Sequence, residues 1–310
     1  MKVATLSIAR LSQQYYYLFS SRRHWQSVLL GTITLTIVLS FALIIPGLAV
    51  EAKFIPVKPR LGDTLILDIT TSADRSISPT VKVGEKTYPA FTIGENRFRS
   101  MIPTTPLQKP GERQVKIADS NNNTTLNISL VDRQFPIQRI TLSPGKAGLQ
   151  ATASELDRVG ALKATVSSKK LWNGKFIAPN QGRISSPYGV RRYYNGKFAN
   201  DYYHRGLDYA GGYGSAVVAP ARGKVVLVGY EKAGFRIHGN VVGLDHGQGV
   251  VSIFMHLSKI DVETGQMLEP GEQLGAIGST GSSTGPHLHW GLYVNAVSVD
   301  PVQWRSVAIE

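Results

Sequence analysis

The sequence predicts a mainly β chain in three parts: an N-terminal hydrophobic leader helix, a small immunoglobulin-like β-sandwich, and a larger C-terminal antiparallel β domain. Three observations carry this reading. An uncharged run extends from Gln26 to Val50. Residues 53–141 break into short strand-like runs at regular turn signals. From Trp172 onward, Val- and Gly-rich segments follow one another with almost no helical periodicity.

Lys2, Arg10, Arg22 and Arg23 precede the uncharged run, and small residues follow at Gly47-Leu48-Ala49, as in an export signal. The apolar stretch Val28 to Ile45 is longer than the ~7–15 residues of an ordinary signal core and approaches the ~20 that span a bilayer. Residues 1–52 are therefore read as either a cleaved signal or a retained anchor. Both place the remainder outside the cytoplasm, in the periplasm or cell envelope, because basic flanks stay inside. A retained anchor would contact the inner membrane through residues 26–48.

Residues 53–141 supply the sandwich. Leu61-Gly62-Asp63 leads into the strand Thr64 to Ile69, and Val81-Lys-Val83 turns through Gly84-Glu85-Lys86 into Thr87-Tyr88. Arg97 to Ile102 alternates polar with apolar residues, predicting a strand buried on one face. Strands at 113–117 and 125–131 complete the set. None carries a histidine, so a spacer or docking module is expected. Residues 142–171 form a connector with one short helix, starting near Ser154 and Asp157, with Leu156, Val159, Leu162 and Val166 on its apolar stripe and Gly160 weakening it. Residues 172–310 form the all-β domain: Gly223–Gly229, Asn240–Asp245, Val250–Leu257, Gln273–Ile277 and Leu288–Tyr293 read as strands closed by glycine turns.

The chain has 310 residues and no cysteine, which excludes disulfides, thiolate metal sites, a cysteine nucleophile and lipidation at an N-terminal cysteine. Its net charge of +13 is uneven: residues 172–310 hold 12 Lys+Arg against 10 Asp+Glu, and residues 1–171 hold 22 against 11. The basic surplus suits anionic lipid or wall polymer, and no nucleic-acid-binding pattern accompanies it, so nucleic acid is not expected as a partner.

His287 and His289 stand two apart in a strand-like run, so both side chains face one way. One can bind a metal while its neighbour handles a proton. His204 and Asp208 add a nitrogen and an oxygen ligand, making His204, Asp208 and His289 a three-ligand set. Three protein ligands on Zn²⁺ leave the fourth position for water, the mark of a catalytic zinc. No His-Glu-x-x-His helix is present, so imidazole must replace the usual glutamate base. Each fragment alone is a weak signal, and its bland counterpart is a histidine satisfied by backbone. That bland reading is assigned to His246 in a turn, to His238 between glycines, and to His24 in the leader. Tyr193, Tyr194, Tyr202 and Tyr203 are read as packing or groove lining. Gly281 to Gly285 lacks the Lys-Ser/Thr ending of a phosphate loop and is read as the turn that places His287.

Gly182-Arg-Ile-Ser-Ser-Pro-Tyr-Gly189, Tyr203-His-Arg-Gly-Leu-Asp208, Val218-Ala-Pro-Ala-Arg-Gly223, Phe254-Met-His-Leu257 and the run Gly278 to His289 together resemble the LytM/lysostaphin-type M23 peptidases, in words, order and spacing. The resemblance covers roughly residues 172–304. It implies a zinc metalloendopeptidase that cuts peptide cross-links of bacterial peptidoglycan, with stem peptides or cross-bridges as substrate. It implies Zn²⁺ on His204, Asp208 and His289, with His256 and His287 as the two catalytic histidines. His287 then accepts or orients the water's proton, while His256 donates to the oxyanion or the leaving amine. The sequence leaves open which histidine takes which step and which bond is cut. Two alternatives also stay open: a non-catalytic peptidoglycan-binding module or activator of a separate amidase, and a carboxypeptidase trimming terminal D-alanine.

Overall fold

Alternating side chains build the first domain, and departures from alternation mark where it is covered. The computed structural model describes residues 50–71, 78–120, 122–142, 145 and 149–309. The expected leader lies outside the described residues except at its last three positions. There Val50 is buried in the sandwich core and Glu51 and Ala52 already belong to a strand. Among the described residues, no helix is long and apolar enough to cross a membrane.

The strands β1 (Glu51–Ile55), β2 (Thr64–Thr70), β3 (Thr80–Val83), β4 (Lys86–Tyr88), β5 (Ala90–Gly94), β6 (Arg97–Pro103), β7 (Gly111–Ala118) and β8 (Asn123–Leu130) form two four-stranded sheets. Their orders are β1-β2-β6-β5 and β4-β3-β7-β8, every pairing antiparallel. Leu65, Leu67, Ile69 and Phe98 of one sheet share a core with Val81, Val115, Ile117 and Ile128 of the other. β6 departs from the expected one-sided pattern: every residue after Arg97 is buried. The cause is a second interface. Ile66 of β2 and Met101 of β6 point away from the sandwich core and join the core of the C-terminal domain.

That interface is also polar and specific. The Gln303 amide bonds both backbone groups of Thr64, at 2.7 and 2.9 Å. Asn295 donates to the Met101 carbonyl at 2.7 Å, and Arg133 pairs with buried Asp300 at 2.7 Å. From sequence the region reads as a spacer or docking module; in three dimensions it is clamped to the C-terminal domain.

After the sandwich, β9 (Ile137–Ile140) crosses to the C-terminal domain. The helix α1 (Ala153–Lys163) follows. Its N-cap is Thr152, two residues before the expected start at Ser154: Thr152 and Glu155 exchange side chain-to-backbone hydrogen bonds in a capping box. Val159 and Leu162 pack on Leu227, Phe235 and Val241. Leu156 is exposed, and Val166 lies beyond the helix end, so the apolar stripe is narrower than the spacing suggested.

The C-terminal domain contains β10 (Arg183–Ser186), β11 (Arg191–Tyr194), β12 (Lys197–Phe198), β13 (Leu207–Ala210), β14 (Ala216–Val218), β15 (Gly223–Gly229), β16 (Asn240–Gly247), β17 (Val250–Ile260), β18 (Met267–Leu268), β19 (Gln273–Ile277), β20 (Leu288–Val294) and β21 (Val297–Val299). A ten-stranded sheet runs β10-β13-β20-β17-β16-β15-β18, with β21 on β20 and β14-β19 attached through β17. β20 is buried at every position, and Trp290, Phe254 and Leu288 anchor the core. A smaller sheet joins β12, β11 and β9, the last in parallel with β11. The short helix α2 (Pro301–Ser306), capped by Asp300 and opened by Pro301 at its first turn, closes the fold and buries Trp304.

Candidate metal centre

Neighbouring strands create the site. β13 and β20 are antiparallel, and Asp208 stands directly opposite His289. Side chains directly opposite share a face, so this register alone brings a carboxylate against an imidazole. Gly206 is required for the approach: a Cβ there would meet the Trp290 carbonyl oxygen and the His289 ring. His204 precedes β13 and is fixed by two backbone bonds, its N–H to Val190 and its carbonyl from Gly189.

Three donor atoms converge. His204 Nε2 lies 2.9 Å from Asp208 Oδ1 and 3.0 Å from His289 Nδ1, and His289 Nδ1 lies 2.9 Å from Asp208 Oδ1. All three residues are buried. The His204 Nδ1 proton goes to the Pro187 carbonyl at 2.8 Å, because a carbonyl can only accept. His204 Nε2, Asp208 Oδ1 and His289 Nδ1 thus lie together as three potential ligand atoms in mutual contact. Burial raises the Asp208 carboxyl, and His204 and His289 outweigh that and hold it well below the usual carboxylate range. Burial pushes His289 down to about 4. Such a group calls for a cation. A tetrahedral zinc with bonds of ~2.0–2.1 Å spaces its ligands about 3.3 Å apart, so these separations need to open only a few tenths of an ångström. The donor set fits zinc.

The two other predicted histidines are beside it. His287 sits just before β20, bridged to Gly278, with Nε2 3.9 Å from Asp208 Oδ1. Its Nδ1 faces the Gly285 carbonyl at 2.9 Å and Ser283 Oγ at 3.1 Å, while the Ser283 proton is given to Gly285. The Gly281–Gly285 turn thus orients this ring. Gly281 has φ 69° and a Cβ would strike the Gly239 backbone, so glycine is needed there. The His256 ring lies 4.8 Å from that of His287 and 6.4 Å from that of His289. The strand expected to close at Leu257 runs on to Ile260, which leaves His256 in its interior. It sits inside β17 at φ 65°, where the strand leaves β20 after Met255 and joins β19 from Leu257. Its N–H bonds the His238 carbonyl at 3.0 Å, and its Nδ1 donates to the Thr280 carbonyl at 2.8 Å. Burial, with His287 and His289 nearby, pushes His256 down to about 3. His256 therefore rests neutral with Nε2 bare, which makes it an acceptor, and the donor role implied by the resemblance requires that it first take up a proton.

The remaining histidines stay outside the centre. His246 lies on β16 rather than in a turn, donating to the Arg222 carbonyl at 2.9 Å and accepting from Ser252 Oγ at 2.8 Å. His238 is paired with Glu155 of α1 at 2.6 Å. His24 lies outside the described residues. Tyr203 is buried away from the centre on Ser298 and Tyr188. Tyr193 tilts on Phe198, and Tyr194 and Tyr202 bring their hydroxyls to Arg192. The sequence offered no signal for Glu155, Gln138 or Arg192. Each works through partners distant along the chain or carries no motif of its own.

Residues 202–301 match the model of peptidase family M23. A Haemophilus influenzae protein named an uncharacterized metalloprotease is 39% identical over 130 residues, 41% of this chain and 26% of that protein. A Neisseria meningitidis DD-carboxypeptidase/endopeptidase, Mpg, is 40% identical over 121 residues, 39% of this chain and 26% of that protein. The chain thus spans about a quarter of the length of these curated relatives. A crystal structure of an M23 peptidase from Pseudomonas aeruginosa matches 81% of this chain and 96% of its own, with 28% identity and a TM-score of 0.59. The sheet, the converging histidines and aspartate, and these likenesses lead to one assignment: the chain carries a peptidase family M23 domain.

Proposed function

We propose that this chain is an exported zinc-dependent endopeptidase that hydrolyses peptide cross-links of bacterial peptidoglycan. The observation that carries the reading is the buried trio His204, Asp208 and His289, three acceptor atoms within 3.0 Å of one another. Zinc bound there supplies Lewis acidity toward a scissile carbonyl and makes a nearby water more acidic. The protein does the rest. Pro187 fixes the His204 tautomer, and Arg192 holds the second Asp208 oxygen at 3.4 Å. His287 keeps its proton on Nδ1 against Gly285, so its bare Nε2 is the group that accepts a proton beside the metal. His256, neutral and buried, offers a second acceptor and donates only after a proton has reached it. The sandwich, whose strand orders support an immunoglobulin-like reading, serves as a structural partner of the peptidase domain, and the basic surplus of residues 1–171 favours an anionic envelope.

The test is digestion of purified sacculi by the full chain. Release of muropeptide fragments with zinc, abolished by a chelator, is expected; zinc-loaded protein that leaves every wall type intact would overturn the reading. A second reading, carboxypeptidase action, is favoured by the double name of the Neisseria relative. Mass spectrometry of the products separates them: free D-alanine marks the carboxypeptidase, and opened cross-links the endopeptidase.

A further inference from the structure

A carboxylate that binds a metal through one oxygen can swing about its own axis unless the other oxygen is held. Here Asp208 turns Oδ1 toward the two histidines and Oδ2 toward Arg192. Arg192 is itself locked. Its Nε donates to Gln138 Oε1 at 3.0 Å, one terminal nitrogen to Ser186 Oγ at 3.2 Å, and the other to the Tyr194 and Tyr202 hydroxyls at 3.4 and 3.5 Å. Ser186 completes a triangle by donating to Gln138 at 3.3 Å. A planar guanidinium suits this task because its donors leave in fixed directions from separate nitrogens; lysine offers one nitrogen and no such fixed fork.

Gln138 belongs to β9, the strand that follows the sandwich, and it reaches Arg192 because β9 and β11 pair in parallel with these two residues as register partners. None of Gln138, Ser186 and Arg192 falls within the residues matched by the family model. We propose that Gln138 and Arg192 are positioning residues for Asp208, so that residues 137–140 are part of the metal site rather than a linker. The inference rests on the zinc reading above and adds to it the chain segment that preorganises the carboxylate.

The experiment measures zinc affinity of the full chain by competition with a chromophoric chelator, with thermal unfolding as a check on folding. Arg192→Lys is expected to weaken affinity by about 10–100-fold, the usual cost of losing an outer-shell partner, and Gln138→Leu by about 3–10-fold because it acts one step further out. Gln138→Glu keeps an acceptor for Arg192 and Ser186 and is expected to bind zinc as the wild type does. A general loss of packing would not be rescued by Gln138→Glu. Folded Arg192→Lys and Gln138→Leu proteins with wild-type affinity would overturn this inference alone. Wild-type protein that binds no zinc would remove the zinc reading as well. Hydrolysis that rises in Gln138→Leu would make β9 an occluding strap and overturn the positioning role.

Discussion

Glu155 accepts the Nδ1 proton of His238 at 2.6 Å, and with it the backbone N–H groups of Arg236, Ile237 and His238 at 2.8–3.0 Å. The connector helix is thereby tied to the loop whose His238 carbonyl receives the His256 N–H. Burial alone would raise the Glu155 carboxyl, but these donors overcome it and its pKa is lowered. Buried donors deprived of their acceptor cost about 1–3 kcal/mol each, so Glu155→Ala should lose about 3 kcal/mol or more of stability in urea unfolding. In Glu155→Gln, which keeps one acceptor oxygen, kcat should fall more than KM rises. Unchanged stability in both variants would break the link between helix and site.

His256 combines chemistry with an unusual backbone. Asparagine tolerates left-handed φ well, so His256→Asn should fold and keep zinc while losing about 10²–10⁴-fold in kcat, the usual share of a proton-transferring side chain. Full hydrolysis by this variant would overturn the proton-transferring role of His256.

Zinc should stabilise the fold. Binding to the native state alone contributes about 2.7 kcal/mol at a hundredfold excess over Kd. Calorimetry should therefore show a higher Tm with zinc and a lower one with chelator, and Asp208→Asn should abolish the difference. A Tm indifferent to zinc in the wild type would argue against the three-donor site.

His246 predicts a pH dependence of stability. Burial lowers it from its usual 6.5 to about 4, so between these values the unfolded chain binds the proton and the folded one does not. Its contribution is complete above about pH 6.5 and is lost as pH falls toward 4, amounting to about 3 kcal/mol at 1.36 kcal/mol per unit. Urea unfolding across that window checks the sign; stability that rises on acidification would contradict it.

Met101 tests the clamp between sandwich and peptidase domain. It is fully buried on a sandwich strand yet packs in the other domain's core. Met101→Ala should cost about 2–5 kcal/mol and lower the single unfolding transition of the whole unit. Two separated transitions with an unshifted peptidase transition would show the domains to be independent.

By itself the sequence determined the mainly β class, the hairpin at Gly84 and the helix in the connector, because strand alternation decides faces and glycines decide turns. It also put His287 and His289 on one face, while His204, Asp208, His256, His287 and His289 were named together through the family resemblance, and their meeting in space came from the pairing of β13 with β20 and from the path of β17. Tertiary structure alone decided that His256 occupies a strand switch, that Glu155 braces it across more than 80 residues, and that Gln138 and Arg192 hold Asp208. It also buried both faces of β6, which set the expected spacer or docking module against the C-terminal domain's core. The physical reason is that a hydrogen bond between residues distant along the chain leaves no period or motif in it. Such partners are chosen by how sheets stack and register, and that becomes visible only when the strands are paired.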